Sequence, residues 1–149
     1  GDSYVFPHVR DAIQDAFRRA GVSDVYELDG IETHDCFSMT EYMAIDHFGL
    51  TAPGESWRAV CDDSIALGGR LPINPGGGLI GCGHPVGATG ARMLLDASQQ
   101  VTGRAGEIQI DGAQLYAVLV SRGRRLTDNE AADDKWTIME SATRLVEGT

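Results

Sequence analysis

Nine of the chain's 19 glycines fall between Gly68 and Gly90. Glycine loses more conformational freedom on folding than any other residue, so it weakens helices and strands from within. A segment this rich in it is expected to be loop. Residues 51–78 also carry Pro53, Gly54, Pro72 and the run Gly76-Gly77-Gly78. Trp57, Val60, Ile65 and Leu67 are expected to anchor them as one long ordered loop rather than a linker. The regular structure must then come from the flanks.

Those flanks are periodic. Val9, Ala12, Ile13, Ala16, Phe17 and Ala20 recur at helical spacing and predict an amphipathic helix over 8–20. Pro7 suits its start and Gly21 its end. Residues 28–34 alternate as a short strand. Ser38 and Glu41 have the spacing of a capping box, which predicts a second helix from Ser38 to Phe48, ending at Gly49. A third helix is expected over 84–102, where Gly90, Met93, Leu94, Ala97 and Val101 share a face. Gly87 and Gly90 inside it imply very close packing. Residues 107–111 and 114–121 read as strands joined in a hairpin at Gly112-Ala113. The tail beyond Arg124 is polar up to Lys135. It then offers either a short helix, with Ile138, Met139, Ala142, Leu145 and Val146, or a weakly ordered terminus. The order α-β-α-α-β-β predicts a mixed α/β domain.

The length of 149 residues allows one domain with a real core and is too short for two ordinary ones. The net charge of −10 argues against nucleic acid or an anionic membrane as partner, since both call for a basic face. It does not argue against a nucleotide cofactor, which needs only a few local donors. Three cysteines, Cys36, Cys61 and Cys82, show no paired spacing, so no disulfide framework is expected and a reducing, cytoplasmic compartment fits. The opening GDSYVFPHVR lacks the apolar core of a signal peptide, the closing Glu147-Gly148-Thr149 is not a peroxisomal address, and no apolar run is long enough to span a membrane.

Two segments could carry chemistry: His34-Asp35-Cys36-Phe37, and Gly81-Cys82-Gly83-His84-Pro85 leading into Val86-Gly87-Ala88-Thr89-Gly90. Each sets a histidine and a thiol two positions apart in a loop expected to open a helix. A thiol near a helix N-terminus or an imidazolium has a lowered pKa and can move a proton near neutral pH. An imidazole N–H facing a dry pocket can stabilise an oxyanion. Chemistry beside a thioester carbonyl needs both. Zinc is a second reading of the four side chains, although zinc ligands are usually separated by about two to four residues and these pairs by one. A nucleotide loop fits less well, because the glycines run G-x-G-x-x-x-G with no apolar strand before them. His8 and His47 fall on predicted helices and read as surface or packing residues. Cys61 reads as a small buried hydrophobe.

The stretch GLIGCGHPVGATGAR closely resembles the glycine-rich G-H-P loop and following helix of thiolases. HDCF resembles the corresponding loop of the sterol-carrier-protein-type, lipid-transfer-protein-like branch, where other thiolases carry N-E-A-F. FPHVRDAIQDAFRRAG is similar to the helix that begins the second half of that fold. The resemblance covers roughly residues 4–123. It implies one domain over 1–123, an extension of unknown role over 124–149, and the fold of a thiolase C-terminal half, a mixed sheet with helices packed on it.

The implied activity is that of an acyl-CoA C-acyltransferase, which makes or breaks a carbon–carbon bond between acyl-CoA molecules. Coenzyme A thioester enters as substrate, and no permanently bound cofactor or metal is expected. The resemblance implies that His84 activates a nucleophilic cysteine, that His34 binds the thioester oxygen, and that Cys36 is the acid/base. Gly78, Gly83 and Phe37 are expected to face the substrate. Most thiolases place another acid/base cysteine in a C-x-G motif near the end of this half. Here the stretch reads Gln109-Ile110-Asp111-Gly112, a loss that fits the branch in which the thiol has moved to Cys36. None of the three cysteines matches the nucleophile's context, so an N-terminal half, in the same chain or another, is expected to supply it. The chain alone is then expected to be inactive, to associate with a second chain and to sit in a homo-oligomer. A retro-aldolase half acting on sterol side-chain CoA esters and a non-catalytic binding module remain as alternatives.

Overall fold

The computed structural model describes residues 5–121 and the strand at 136–141. Helix α1 (Pro7–Ala20) follows the predicted stripe, burying Val9, Ile13 and Ala16, and Gly21 ends it in the left-handed conformation. Strand β1 (Gly30–Thr33) leads through the His34–Phe37 loop into α2 (Ser38–Phe48). Two short helices, α3 (Ser56–Cys61) and α4 (Gly78–Cys82), break up the stretch expected to be loop. Helix α5 (Thr89–Val101) and strands β2 (Tyr116–Ser121) and β3 (Trp136–Ser141) complete the domain. The observed architecture is α/β, a small mixed sheet with helices on both faces.

The sheet order is β1-β2-β3. β1 and β2 are parallel, with Gly30 opposite Tyr116 and Thr33 opposite Leu119. A parallel pair cannot close through a tight turn, so residues 34–115, with α2 to α5, form the crossover. Successive strand residues face opposite sides, which separates two cores. Ile31, Ala117 and Leu119 join Val9, Ile13 and Ala16 of α1, Ala44, Ile45 and Phe48 of α2, and Leu71 and Ile73. Tyr116 and Val118 join Leu79, Met93 and Ala97 beneath α5. Each buried Leu or Ile contributes about 1.5–3 kcal/mol.

Several local expectations are corrected. The Ser38–Glu41 capping box does not form, because the helix N-cap is Phe37, with no side-chain cap bond. Glu41 instead accepts from Asn74 Nδ2 at 2.9 Å, and Asn74 Oδ1 accepts from the Thr33 amide at 2.8 Å. Residues 71–74 run beside β1 through Ile31 N to Pro72 O at 3.0 Å and Asn74 N to Ile31 O at 2.8 Å. Their anchors are Leu71 and Ile73, both buried, whereas Trp57, Val60 and Leu67 are exposed and only Ile65 packs on the core. Cys61 is exposed, not buried. The third helix starts at Thr89 rather than 84, since Pro85 disfavours helical geometry at His84. Gly87 therefore lies outside it in open space, while a Cβ on Gly90 would press on Val120 Cγ1 at 3.2 Å.

The 107–111 strand and its hairpin are absent. Residues Gly106–Ile108 form a 3-10 turn. Side-chain amides take the backbone groups a strand partner would have used. Gln100 Nε2 donates to Ile108 O at 2.8 Å, and Gln100 Oε1 accepts from Ile110 N at 2.8 Å. Strand β2 pairs instead with β1 and, antiparallel, with β3, Tyr116 facing Ser141. Residues 136–141 are thus strand where a short helix or a weakly ordered terminus was expected, and residues 142–149 lie outside the described part.

Glu32 on β1 is 1% exposed, and burial pushes its carboxyl up from the usual 4.5 to about 8. Asp96, Asp35 and Glu41 reinforce the shift and Arg92 opposes it. The folded state therefore holds a proton that the unfolded chain releases. Stability from this group is complete below pH 4.5 and is lost as pH rises to about 8. Asp96 and Glu41, also raised by burial, add the same sign, whereas His34, lowered from 6.5, opposes it on the acid side. Glu32→Gln is expected to flatten the fall in melting temperature between pH 6 and 8, measured by calorimetry; an unchanged slope would remove Glu32 as its source.

Candidate active site

His34 leaves the carboxyl end of β1, the end at which open α/β sheets hold their ligands. The Thr40 hydroxyl, one turn into α2, bonds the carbonyls of His34 at 2.7 Å and Phe37 at 2.6 Å and fixes the loop on the helix start. His84 arrives from the other face of the sheet, between α4 and α5. Gly83 turns the chain out of α4 at φ +90°, a conformation glycine adopts freely and other residues rarely do, immediately before His84.

The two histidines meet. Their ring centroids are 4.9 Å apart and their planes stand at 82°, edge to face. His34 is 6% exposed. Burial holds its pKa below the usual imidazole value, and the nearby His84 lowers it further, against a smaller opposite effect of Asp35. The neutral ring keeps one N–H donor and one lone pair.

His84 Nδ1 lies 2.7 Å from Thr89 Oγ1, and that hydroxyl donates to Pro85 O at 3.1 Å. A hydroxyl has one proton, and a carbonyl can only accept. With the Thr89 proton on Pro85 O, His84 Nδ1 carries the N–H and Nε2 keeps the lone pair. The ring is arranged to accept a proton at Nε2. Thr89→Val is expected to shift the neutral His84 ring away from the Nδ1–H tautomer, read from the ring nitrogen chemical shifts by NMR; an unchanged tautomer would show that Thr89 does not set it.

The remaining expected residues are distributed as follows. Cys36 is half-buried and packs against the core under α5. Cys82 is exposed and its Sγ donates to Gly76 O at 3.1 Å, which ties the thiol to its own loop. Phe37 stands exposed just before α2, and Met39 in the first turn of α2, Ile80 in α4 and Val86 between α4 and α5 are exposed as well. Gly78 is buried, whereas Gly83 is exposed. His47 is a buried packing residue, accepting from Phe6 N at Nε2 over 3.0 Å with Nδ1 against Asp46 Oδ1 at 2.5 Å. His8 is exposed on α1. Among the described residues no three of His, Cys, Asp and Glu group as a metal site, and no helix is long and apolar enough to cross a membrane. Thr89 and Asn74 were missed in the sequence. Thr89's signal, a hydroxyl five residues after His84 across a proline turn, is visible only once the turn is known.

The model of the thiolase C-terminal domain-like family matches residues 2–132. An acetyl-CoA acetyltransferase of Methanothermobacter thermautotrophicus is 37% identical over 105 residues, covering 70% of this chain and 27% of that protein. Human sterol carrier protein 2 is 36% identical over 110 residues, covering 74% of this chain and 20% of that protein. A solved structure described as an Ltp2-ChsH2(DUF35) aldolase shares the fold, with a TM-score of 0.68 at 22% identity, over 74% of this chain and 28% of the other. The chain thus spans under a third of the length of each of these relatives. By the family model, which spans most of its length, the chain belongs to the thiolase C-terminal domain-like family.

Proposed function

We propose that this chain is the C-terminal half of an acyl-CoA C-acyltransferase whose nucleophilic cysteine lies on an N-terminal half, in the same polypeptide or another. The edge-to-face contact of His34 and His84 carries the reading, because two motif loops 50 positions apart deliver two imidazoles to one place.

In this reading His84 Nε2 takes the proton of the partner half's thiol, and the thiolate attacks the thioester carbonyl. His34 donates its N–H to the oxygen on which charge develops, a role suited to a ring kept neutral by burial. Cys36 moves the proton at the α-carbon. The apolar side chains Phe37, Met39, Ile80 and Val86 provide surface for the other half and for the thioester's acyl chain. Gly83 and Phe37 face the substrate, and the assembly is a homo-oligomer of complete two-half units.

The test is native mass spectrometry followed by assay of whatever assembly is found. Thiolysis of a 3-ketoacyl-CoA by free coenzyme A, giving two shorter acyl-CoA products, supports the acyltransferase. Cleavage of a 3-hydroxyacyl-CoA without added thiol assigns a retro-aldolase half instead. Binding of acyl-CoA with neither reaction assigns a non-catalytic module.

A further inference from the structure

Asp35 lies between His34 and Cys36 and is 2% exposed. A buried carboxylate is costly unless it is hydrogen-bonded. Asp35 finds its donors on the other motif loop, 44 positions away: Oδ1 accepts from the Leu79 amide at 2.7 Å. Oδ2 faces the Ile80 amide at 3.4 Å. Both amides belong to α4, whose far end delivers Gly83 and His84.

Gly78 makes this approach possible. Its φ is +59°, and a Cβ built on it would overlap the Asp35 carboxylate far inside van der Waals contact. Alanine there would meet both a strained backbone and an occupied space. The carboxylate and the glycine thus form one lock, a side chain on the first loop seated on bare backbone of the second. Gly78, expected from the sequence to face the substrate, is occupied by this contact.

We propose that Asp35 and Gly78 are a positioning pair that sets the distance between the His34 and His84 rings. Neither touches the reacting atoms; both act through the histidines. The geometry stands without the functional reading above, and only its consequence for turnover rests on that reading.

The experiment is NMR of the histidine rings in the 149-residue chain, comparing wild type with Asp35→Asn and Gly78→Ala. Asp35→Asn keeps the volume and one acceptor oxygen and removes the other. Gly78→Ala keeps the charge and displaces it. Thermal unfolding first establishes which variants fold. The wild type is expected to show a His34–His84 ring cross-peak, reduced fivefold or more in each folded variant. In Gly78→Ala the His34 titration midpoint should also rise, because the His84 ring that depresses it has withdrawn while Asp35 remains. Wild-type cross-peak intensity in a folded variant overturns the proposal, as does its absence from the wild type. Should neither variant fold, hydrogen exchange on the wild type decides: a protected Leu79 amide supports the lock, and exchange as fast as an exposed amide overturns it. Absence of any acyl-CoA reaction would sink the functional reading and leave these ring measurements unaffected.

Discussion

Replacing His84 by alanine is expected, on the proposed acyltransferase reading, to lower turnover of the two-half assembly by about a hundred- to ten-thousandfold, the usual contribution of a positioned general base. The argument rests on where the proton sits. Thr89 donates to Pro85 O and accepts from His84 Nδ1, which leaves Nε2 as the open lone pair. Removing the ring removes the lone pair proposed to take the thiol's proton. His84 is half-exposed in its loop and belongs to neither core, so the melting temperature should change little. The decisive measurement is the pH profile of acylation. A thiol that reacts only at alkaline pH in the variant supports the base role. If His84→Ala reacts as fast as wild type near neutrality, the thiol is activated by something else.

His34→Ala should cost about a hundred- to a thousandfold, the range seen when one oxyanion donor is removed. The loss should fall on kcat rather than KM, because the donor acts on charge that develops only during reaction. His34→Asn offers a sharper test. An amide retains an N–H donor without a titratable ring. Asparagine should recover most of the activity, with the limb due to His34 gone from the pH profile. Equal losses for alanine and asparagine would mean that the ring's packing against His84, not its N–H, is what matters. Because His34 is buried, the alanine variant needs its thermal stability measured beside its rate, and only the asparagine comparison separates cavity from chemistry.

Much of this site was legible before any fold was known. Two loops with His-x-Cys-type spacing, each bounded by glycine or a helix start, identify themselves by residue type alone. Their meeting was not legible. His34 and His84 touch because β1 and the stretch before α5 lie at one end of the sheet, and that depends on the parallel pairing of β1 with β2. Asp35's partners were hidden for the same reason: backbone amides have no sequence signature. Gly78 was assigned to the substrate through the family resemblance. The space its missing Cβ would need is taken by Asp35, which no local pattern reveals.

By itself the sequence determined α1 and α2, their glycine ends, and the residues able to do chemistry. Each of these depends on neighbours within one or two helical turns, where periodicity and backbone preference act directly. Only the tertiary structure decided which strand β2 pairs with, that Gln100 would satisfy residues 108–110 in place of a strand, that Glu41 would hold Asn74 rather than cap a helix, and that Cys61 would be exposed. In each case the local sequence left more than one structure open. A hydrogen bond or burial with a distant residue chose between them, as the Asp35 bond to Leu79 N does at the site itself.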